Sequence, residues 1–303
     1  MVNPRRLQRR RRSIANIRKI TRTMELIATA RFKRALERVH AASAYTQRIT
    51  RIVQRLATAG LEVSHPLLEP REEVRSARVL VLTSNRGLCG GYNANVLRAA
   101  LPHWEECQKL PQAALEVSGK RGISFFRFRQ IVPDQEYLHL AEKPTFDEVE
   151  RLAEGYLEQF TAGELDRLDV VYTRFLSTAQ QQVVVETLLP MSQLEEEPAA
   201  KKKPQEEETP AARGVVPYEF LPSAASILEQ IVPVSFKTRL FKCFLDAVVS
   251  EQIARMVAMK AATENAEELL KNITRQYNRA RQSRITSELL DVMGGVEALR
   301  GSS

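Results

Sequence analysis

Residues 14–56 read IANIRKITRTMELIATARFKRALERVHAASAYTQRITRIVQRL. Apolar or small residues recur at Ile14, Ile17, Ile20, Met24, Ala28, Phe32, Ala35, Val39, Ala42, Tyr45, Ile49, Ile52 and Leu56, always three or four apart. That rhythm marks one narrow face of an α-helix; a strand would alternate with period two. No Gly or Pro interrupts the chain between Pro4 and Gly60. At 1.5 Å per residue the stretch makes a helix about 63 Å long. A helix of that length with so narrow a stripe is of the coiled-coil kind.

The carboxy-terminal end carries a matching signal. Pro233 is the last proline, and no glycine occurs between Gly214 and Gly294. Residues 234–293 are rich in Ala, Glu, Leu, Arg and Met, all good helix formers. Leu270, Ile273, Tyr277 and Ala280 keep the same spacing, and Leu289 with Val292 closes the stripe. A fully helical segment would span about 90 Å, and Gly294-Gly295 is expected to end it. Two such helices at opposite ends of one chain predict an intramolecular antiparallel coiled coil, with the middle of the chain joining them at one end.

That middle changes character. Val79 to Leu82 is a short continuous apolar run suited to a strand buried on both faces. A glycine-rich turn, Gly87 to Gly91, leads into a helix through Val96, Leu97 and Leu101. Ala114 to Ser118, Leu168 to Tyr172 and Val183 to Leu189 read as further strands, and Phe146 to Phe160 as a helix. Alternating strands and helices predict a small Rossmann-like α/β domain with a mainly parallel sheet. The fold class is thus α/β with long helices. Its expected divisions are a helix over 1–60, the α/β domain over 61–192, a charged disordered insertion over 193–213, and a foot segment with the second long helix over 214–303. The insertion, QLEEEPAAKKKPQEEETPAAR, has blocks of like charge and too little apolar surface to order itself.

Composition narrows the function. The 303 residues hold 45 Lys or Arg and 37 Asp or Glu, a net charge of +8. Residues 1–60 contain 16 Lys or Arg against Glu25 and Glu37, a net of +14, so the other 243 residues sum to −6. The basic end suits nucleic acid, an anionic membrane surface or an acidic protein face. Read as a transit peptide it would stop short, whereas here the basic pattern continues into the helix. No stretch free of Asp, Glu, Lys and Arg exceeds 11 residues, too short for a membrane-spanning helix of about 20. Cys89, Cys107 and Cys243 match neither a disulfide framework nor a zinc pattern.

Catalytic chemistry is sparse. The chain has no G-x-x-x-x-G-K-[ST] phosphate loop, and the turn from Asn85 to Gly91 does not match G-x-G-x-x-G. A tight strand-to-helix turn explains those glycines more plainly than dinucleotide binding. Cys89 lacks a histidine partner in sequence, and His40, His65, His103 and His139 have no ligand spacing. Arg5, Arg6 and Arg9 to Arg12 would suit phosphates, so a basic coiled-coil nucleic-acid-binding protein is the alternative reading; few aromatics interleave with them.

Three segments together resemble the gamma subunit of F-type ATP synthases, the central rotor shaft. They are IRKITRTMELIA at 17–28 with ARFKRA at 30–35; SNRGLCGGYN at 84–93; and SEQIARMVAMKAATENAEELL at 250–270 with YNRARQSRITSELLDVMGG at 277–295. In the second the family usually has Asp where this chain has Asn85. The resemblance implies an antiparallel coiled coil inside a hexamer of alternating alpha and beta subunits. It places the α/β domain beside the epsilon subunit and the membrane ring of c subunits. Gamma would then perform no catalysis, hold no cofactor or metal, bind no nucleic acid, and meet the membrane only through the c ring, on the cytoplasmic face of a bacterial plasma membrane.

The resemblance also implies roles residue by residue. Arg281 and Gln282 resemble the catch that engages a beta-subunit loop, with Thr286, Glu288 and Arg255 near the same contact. Met24 resembles a methionine close to the acidic lower lever of beta, although a plain seam residue would look the same. Arg86 and Cys89 lie in the turn that would face that lever. Tyr218, Glu219 and Phe220 resemble the foot that touches the c ring.

Overall fold

The computed structural model describes residues 4–58, 65–191 except 70 and 72, and 224–301. The expected insertion at 193–213 and the foot residues Tyr218, Glu219 and Phe220 lie outside the described residues. The elements run α1 (Pro4–Thr58), β1 (Ser76–Leu82), α2 (Tyr92–Cys107), β2 (Gln112–Ser118), α3 (Lys120–Phe128), β3 (Gln135–Tyr137), α4 (Phe146–Thr161), β4 (Arg167–Phe175), β5 (Gln181–Leu189) and α5 (Ala224–Gly301). Two compact units result, Met1–Thr29 with Arg255–Ser303, and Ala30–Ala254.

In the first unit α1 and α5 pair as a coiled coil. The buried row on α1 is Leu7, Ile14, Thr21 and Ala28, spaced by seven, the period that keeps a seam facing its partner. Ile14 packs with Ala266, Leu270 and Ile273. Low in this seam the Thr21 and Thr263 hydroxyls stand 2.9 Å apart. Each also reaches backbone, Thr21 the Arg18 carbonyl at 3.1 Å and Thr263 the Met259 carbonyl at 2.8 Å. One hydroxyl therefore donates across the seam while the other donates into its own helix. A buried polar pair of this kind penalises any slip in register, since a slipped hydroxyl would lose its partner.

The seam departs from expectation at Ile17 and Ile20, which are 49% and 59% exposed. The second row beside the heptad lies four residues on, at Arg11, Arg18 and Glu25. Arg11 covers the Tyr277 ring at 5.1 Å, and Arg18 lies 3.8 Å from Glu267. A hydrophobic pattern cannot register a row made of charged side chains, so it selects the apolar row next to it. Leu289 and Val292 do not close a stripe either; both are exposed. Tyr277 already faces Arg11, and α1 begins at Pro4, so α1 has only about two turns left beyond that contact. Gly294-Gly295 fails to end α5, which continues to Gly301. Each glycine costs about 1 kcal/mol relative to alanine, which weakens a helix without forbidding it. The same helix starts before Pro233 and carries it inside.

In the second unit the sheet order is β3-β2-β1-β4-β5, with β5 antiparallel to β4 and the other pairs parallel. Alternation along β1 builds both faces. Val79 and Val81 meet Val96, Leu97, Ala100 and Trp104 of α2 and Phe126 of α3. Leu80 and Leu82 meet Tyr156 and Phe160 of α4 and Phe236, Leu240 and Phe244 of α5. A mainly parallel sheet covered on both faces follows from this, as continuous apolar strands require. Residues 35 and 39 of α1 pack on Leu245, Val249 and Ile253 of α5 within the same unit. Two elements were missed by the sequence reading, α3 and the three-residue β3, both too short to show a period.

Candidate functional site

The turn between β1 and α2 is fixed by backbone geometry and a tight hydrogen-bond net. Leu88 has φ +64° and Gly90 φ +55°. A left-handed backbone at a leucine is costly and persists where its surroundings hold it. Here Asn93 is the holder: its Oδ1 accepts from the Ser84 amide at 3.0 Å, and its Nδ2 reaches the Ser84 hydroxyl at 2.8 Å and Cys89 Sγ at 3.2 Å. The Ser84 hydroxyl lies 2.7 Å from the Arg86 carbonyl. Cys89 is buried at 2% exposure while Leu88 is 58% exposed. The turn thus hides its thiol and presents a leucine.

Asn85 uses both ends of its amide. Its Nδ2 donates to the Leu138 carbonyl at 2.7 Å, and its Oδ1 accepts from the Lys120 amide at 3.0 Å. An aspartate would lack the donor. Gly119, which follows β2, has φ +99°, and a Cβ there would meet the Thr83 carbonyl oxygen at 2.2 Å. Both contacts tie the turn to neighbouring loops. Arg86 points outward from it and pairs with Glu142 at 3.2 Å.

A basic face lies beside this region, where Arg31, Arg34 and Arg38 of α1 border a cavity lined also by Lys143, Leu245 and Gln252. Deeper in this unit Asp246 is 1% exposed and neither carboxylate oxygen has a hydrogen-bond partner. Burial pushes its pKa up to about 7, against the opposing pull of the Lys242 and Arg174 charges.

The first unit presents the other surface. Arg281, Gln282, Thr286 and Glu288 are all exposed on α5. Gln282 and Thr286 are one turn apart and share a face, as do Arg281 and Glu288 at two turns. Glu288 accepts from Arg284 Nε at 2.7 Å. Interleaved with them, Ile285, Leu289, Leu290, Val292, Met293 and Val296 are exposed, each by 47% or more. So much bare aliphatic surface marks a contact site. Arg255, by contrast, is buried at 8% exposure, so it is not a solvated charge. Met24 is half-buried, beside an Arg22–Glu25 pair at 2.9 Å. Arg281, Gln282, Thr286 and Glu288, which the resemblance groups at one contact, lie on one exposed stretch of α5. The sequence reading did not register the apolar face around them, whose signal was the run of aliphatic residues beyond the reach of α1.

Among the described residues no helix is long and apolar enough to cross a membrane. A family model described as "ATP synthase" matches residues 3–299. The chain is 56% identical over 302 residues to an ATP synthase gamma chain of Rhodopirellula baltica, covering 99% of this chain and 100% of that one. To the ATP synthase gamma chain of Leptospira biflexa it is 36% identical over 300 residues, with the same coverage. Its fold is similar to a chain from the rotor of the Euglena gracilis mitochondrial ATP synthase, with TM-score 0.60 and 18% identity over 93% of this chain and 98% of that one. A second Euglena gracilis structure, in rotational state 3, gives TM-score 0.63 and 18% identity over 99% of this chain and 95% of that one. With a match along nearly its whole length, the chain belongs to the ATP synthase gamma-chain family.

Proposed function

We propose that this chain turns as the central-stalk rotor of an F-type ATP synthase and acts through two surfaces: the exposed end of α5, and the turn at 84–93 with its basic neighbours. As a gamma chain it is a non-catalytic rotor subunit, and catalysis resides in its partner subunits. Rotation can shift nucleotide affinity at those sites only if each angle of the rotor favours a different set of conformations around it. Gamma supplies the asymmetry.

The single observation that carries this reading is the bare aliphatic face of α5 over residues 285–296, set among Arg281, Gln282, Thr286 and Glu288. An apolar end lets a sleeve of alpha and beta subunits hold the helix without directional bonds, so it remains free to turn. Arg281 and Gln282 add the few polar contacts that engage a beta loop at one angle. Arg86, on the outward side of the turn, and Met24 meet the lower lever of beta. Buried Cys89 and Arg255 act through what they position and not by touching the partner. Arg31, Lys33 and Arg34 draw in acidic faces over longer range. Tyr218, Glu219 and Phe220 serve as the foot on the c ring, beside the epsilon subunit. The chain is peripheral, and it works at the cytoplasmic face of a bacterial plasma membrane. The basic end was equally open to nucleic acid when read alone; family membership favours the rotor.

The test is an Arg281→Ala/Gln282→Ala double variant reconstituted with the alpha and beta subunits. Unchanged assembly with ATP hydrolysis lowered several-fold supports the catch. Full activity in the double variant would contradict it.

A further inference from the structure

Among the described residues, His103, Cys107 and Asp169 bring an imidazole nitrogen, a thiol sulfur and a carboxylate oxygen within 4.8 Å of one another. His103 and Cys107 stand one turn apart near the end of α2, and Asp169 lies near the start of β4. His103 Nε2 lies 2.9 Å from Asp169 Oδ2 and 3.6 Å from Cys107 Sγ. The other carboxylate oxygen accepts from the Thr187 hydroxyl at 2.6 Å, which holds Oδ2 turned towards His103. Such an outer hydrogen bond is what orients a ligating carboxylate. Cys107 and Asp169 are each 1% exposed, and neither belongs to a surface used by the rotor reading.

A fourth side chain shares the cluster. Arg167 places its NH2 group 3.0 Å from Cys107 Sγ and its Nε 2.9 Å from Asp169 Oδ2. Nε nevertheless has no aligned acceptor, so its hold on the carboxylate is proximity of charge alone. The Arg167 side chain is 31% exposed, the most open of the group, and can withdraw to solvent. A guanidinium held by charge beside a thiol, an imidazole and a carboxylate occupies the position of a cation.

We propose that His103, Cys107 and Asp169 form a binding site for one thiophilic divalent cation, Zn²⁺ foremost, which takes the place of the Arg167 guanidinium. Thiolate with imidazole selects zinc over magnesium or calcium. Three protein ligands and one water complete a tetrahedron. Ligand atoms around such an ion lie about 3–4 Å apart, so the 2.9 Å His103–Asp169 pair opens slightly, the 3.6 Å His103–Cys107 pair already fits, and Cys107 and Asp169, within 4.8 Å, close on the ion. On binding, Cys107 releases its Sγ proton and His103 the Nε2 proton it shares with Asp169, both to solvent, and Arg167 moves outward; no electron is transferred.

The experiment uses the reduced full-length chain, titrated with zinc chloride in a calorimeter and with Co²⁺ as an optical probe. One equivalent should bind, with a thiolate-to-cobalt charge-transfer band. Cys107→Ser and His103→Gln should each lower zinc affinity at least about tenfold, whereas Cys89→Ser should leave it unchanged. Arg167→Ala should raise the affinity, since it removes the competing cation; a purely structural charge network predicts no such gain. Should the ligand variants fail to fold, the wild-type chain still decides: zinc must slow alkylation of Cys107 and leave that of Cys89 unaltered. Absence of a cobalt–thiolate band, equal affinity in Cys107→Ser, weaker binding in Arg167→Ala, or no protection of Cys107 would each overturn the proposal.

Discussion

Replacing Asp246 by asparagine should stabilise the sheet-bearing unit at neutral and alkaline pH and much less in mild acid. Asp246 is 1% exposed, its oxygens have no hydrogen-bond partner, and burial lifts its pKa from 3.8 to about 7. The folded state therefore holds a proton that the unfolded chain releases. Its contribution is fully present below about pH 4 and is lost as pH rises through about 7. A gap of about 3 pKa units corresponds to about 4 kcal/mol between those limits at 1.36 kcal/mol per unit. Between about pH 5 and pH 8 the gain from Asp246→Asn should therefore grow by about 2–3 kcal/mol. Any fixed cost of the new amide hydrogens cancels when the two pH values are compared. Urea unfolding supplies the measurement, because its midpoint shifts linearly with stability. Trp104, the single tryptophan, lies in the core between α2 and the sheet and reports on this unit. A gain that is the same at both pH values, or larger in acid, would refute the argument.

Other perturbations test other parts. Asn85→Asp keeps the acceptor for the Lys120 amide and turns a carboxylate oxygen towards the Leu138 carbonyl, so the Trp104-detected urea midpoint should fall by the equivalent of about 1–3 kcal/mol. A Thr21→Val and Thr263→Val double-mutant cycle, followed by thermal melting, should show a coupling of about 1 kcal/mol between the two positions; strict additivity would count against the cross-seam bond. Gly119→Ala must relieve a contact of 2.2 Å at φ +99°, and a loss of about 3 kcal/mol or more should leave little folded chain on expression. Lys33→Ala removes one exposed charge of α1, worth about 0–1 kcal/mol, and coupled ATP synthesis should scarcely change.

The long helices were legible because repetition over dozens of residues makes their period unmistakable. The strand at 79–82 was legible because burial on both faces demands an unbroken apolar run, and the strand at 168–172 because Leu168, Val170, Val171 and Tyr172 outweigh the one carboxylate, Asp169. Which helical row faces inward was not, since Arg11 and Arg18 settle that choice by pairing across the seam and Thr21 by a hydroxyl contact, whereas Ile17 and Ile20 look like better seam residues. Cys89 stood out beside the glycines of its turn, yet its burial depends on Asn93 and Ser84 folding over it. The cluster at His103 was invisible for a simpler reason: its carboxylate partner lies 66 residues further along the chain. Contacts between distant strands leave no mark on local spacing. The exposed residues Arg281, Gln282, Thr286 and Glu288 came through the resemblance, and the aliphatic face beside them emerged only once the extent of α1 was known.

The central claim is that this chain rotates within a catalytic hexamer. Cys89, Cys107 and Cys243 are all buried and alkylate slowly, so brief labelling of a cysteine introduced at Phe128, 86% exposed, gives a selective attachment point on the sheet-bearing unit. With the alpha–beta hexamer fixed to a surface and a bead on that cysteine, added ATP should drive rotation in one direction, in three equal steps per turn. A complex that forms and hydrolyses ATP while the bead shows only undirected fluctuation would contradict the account.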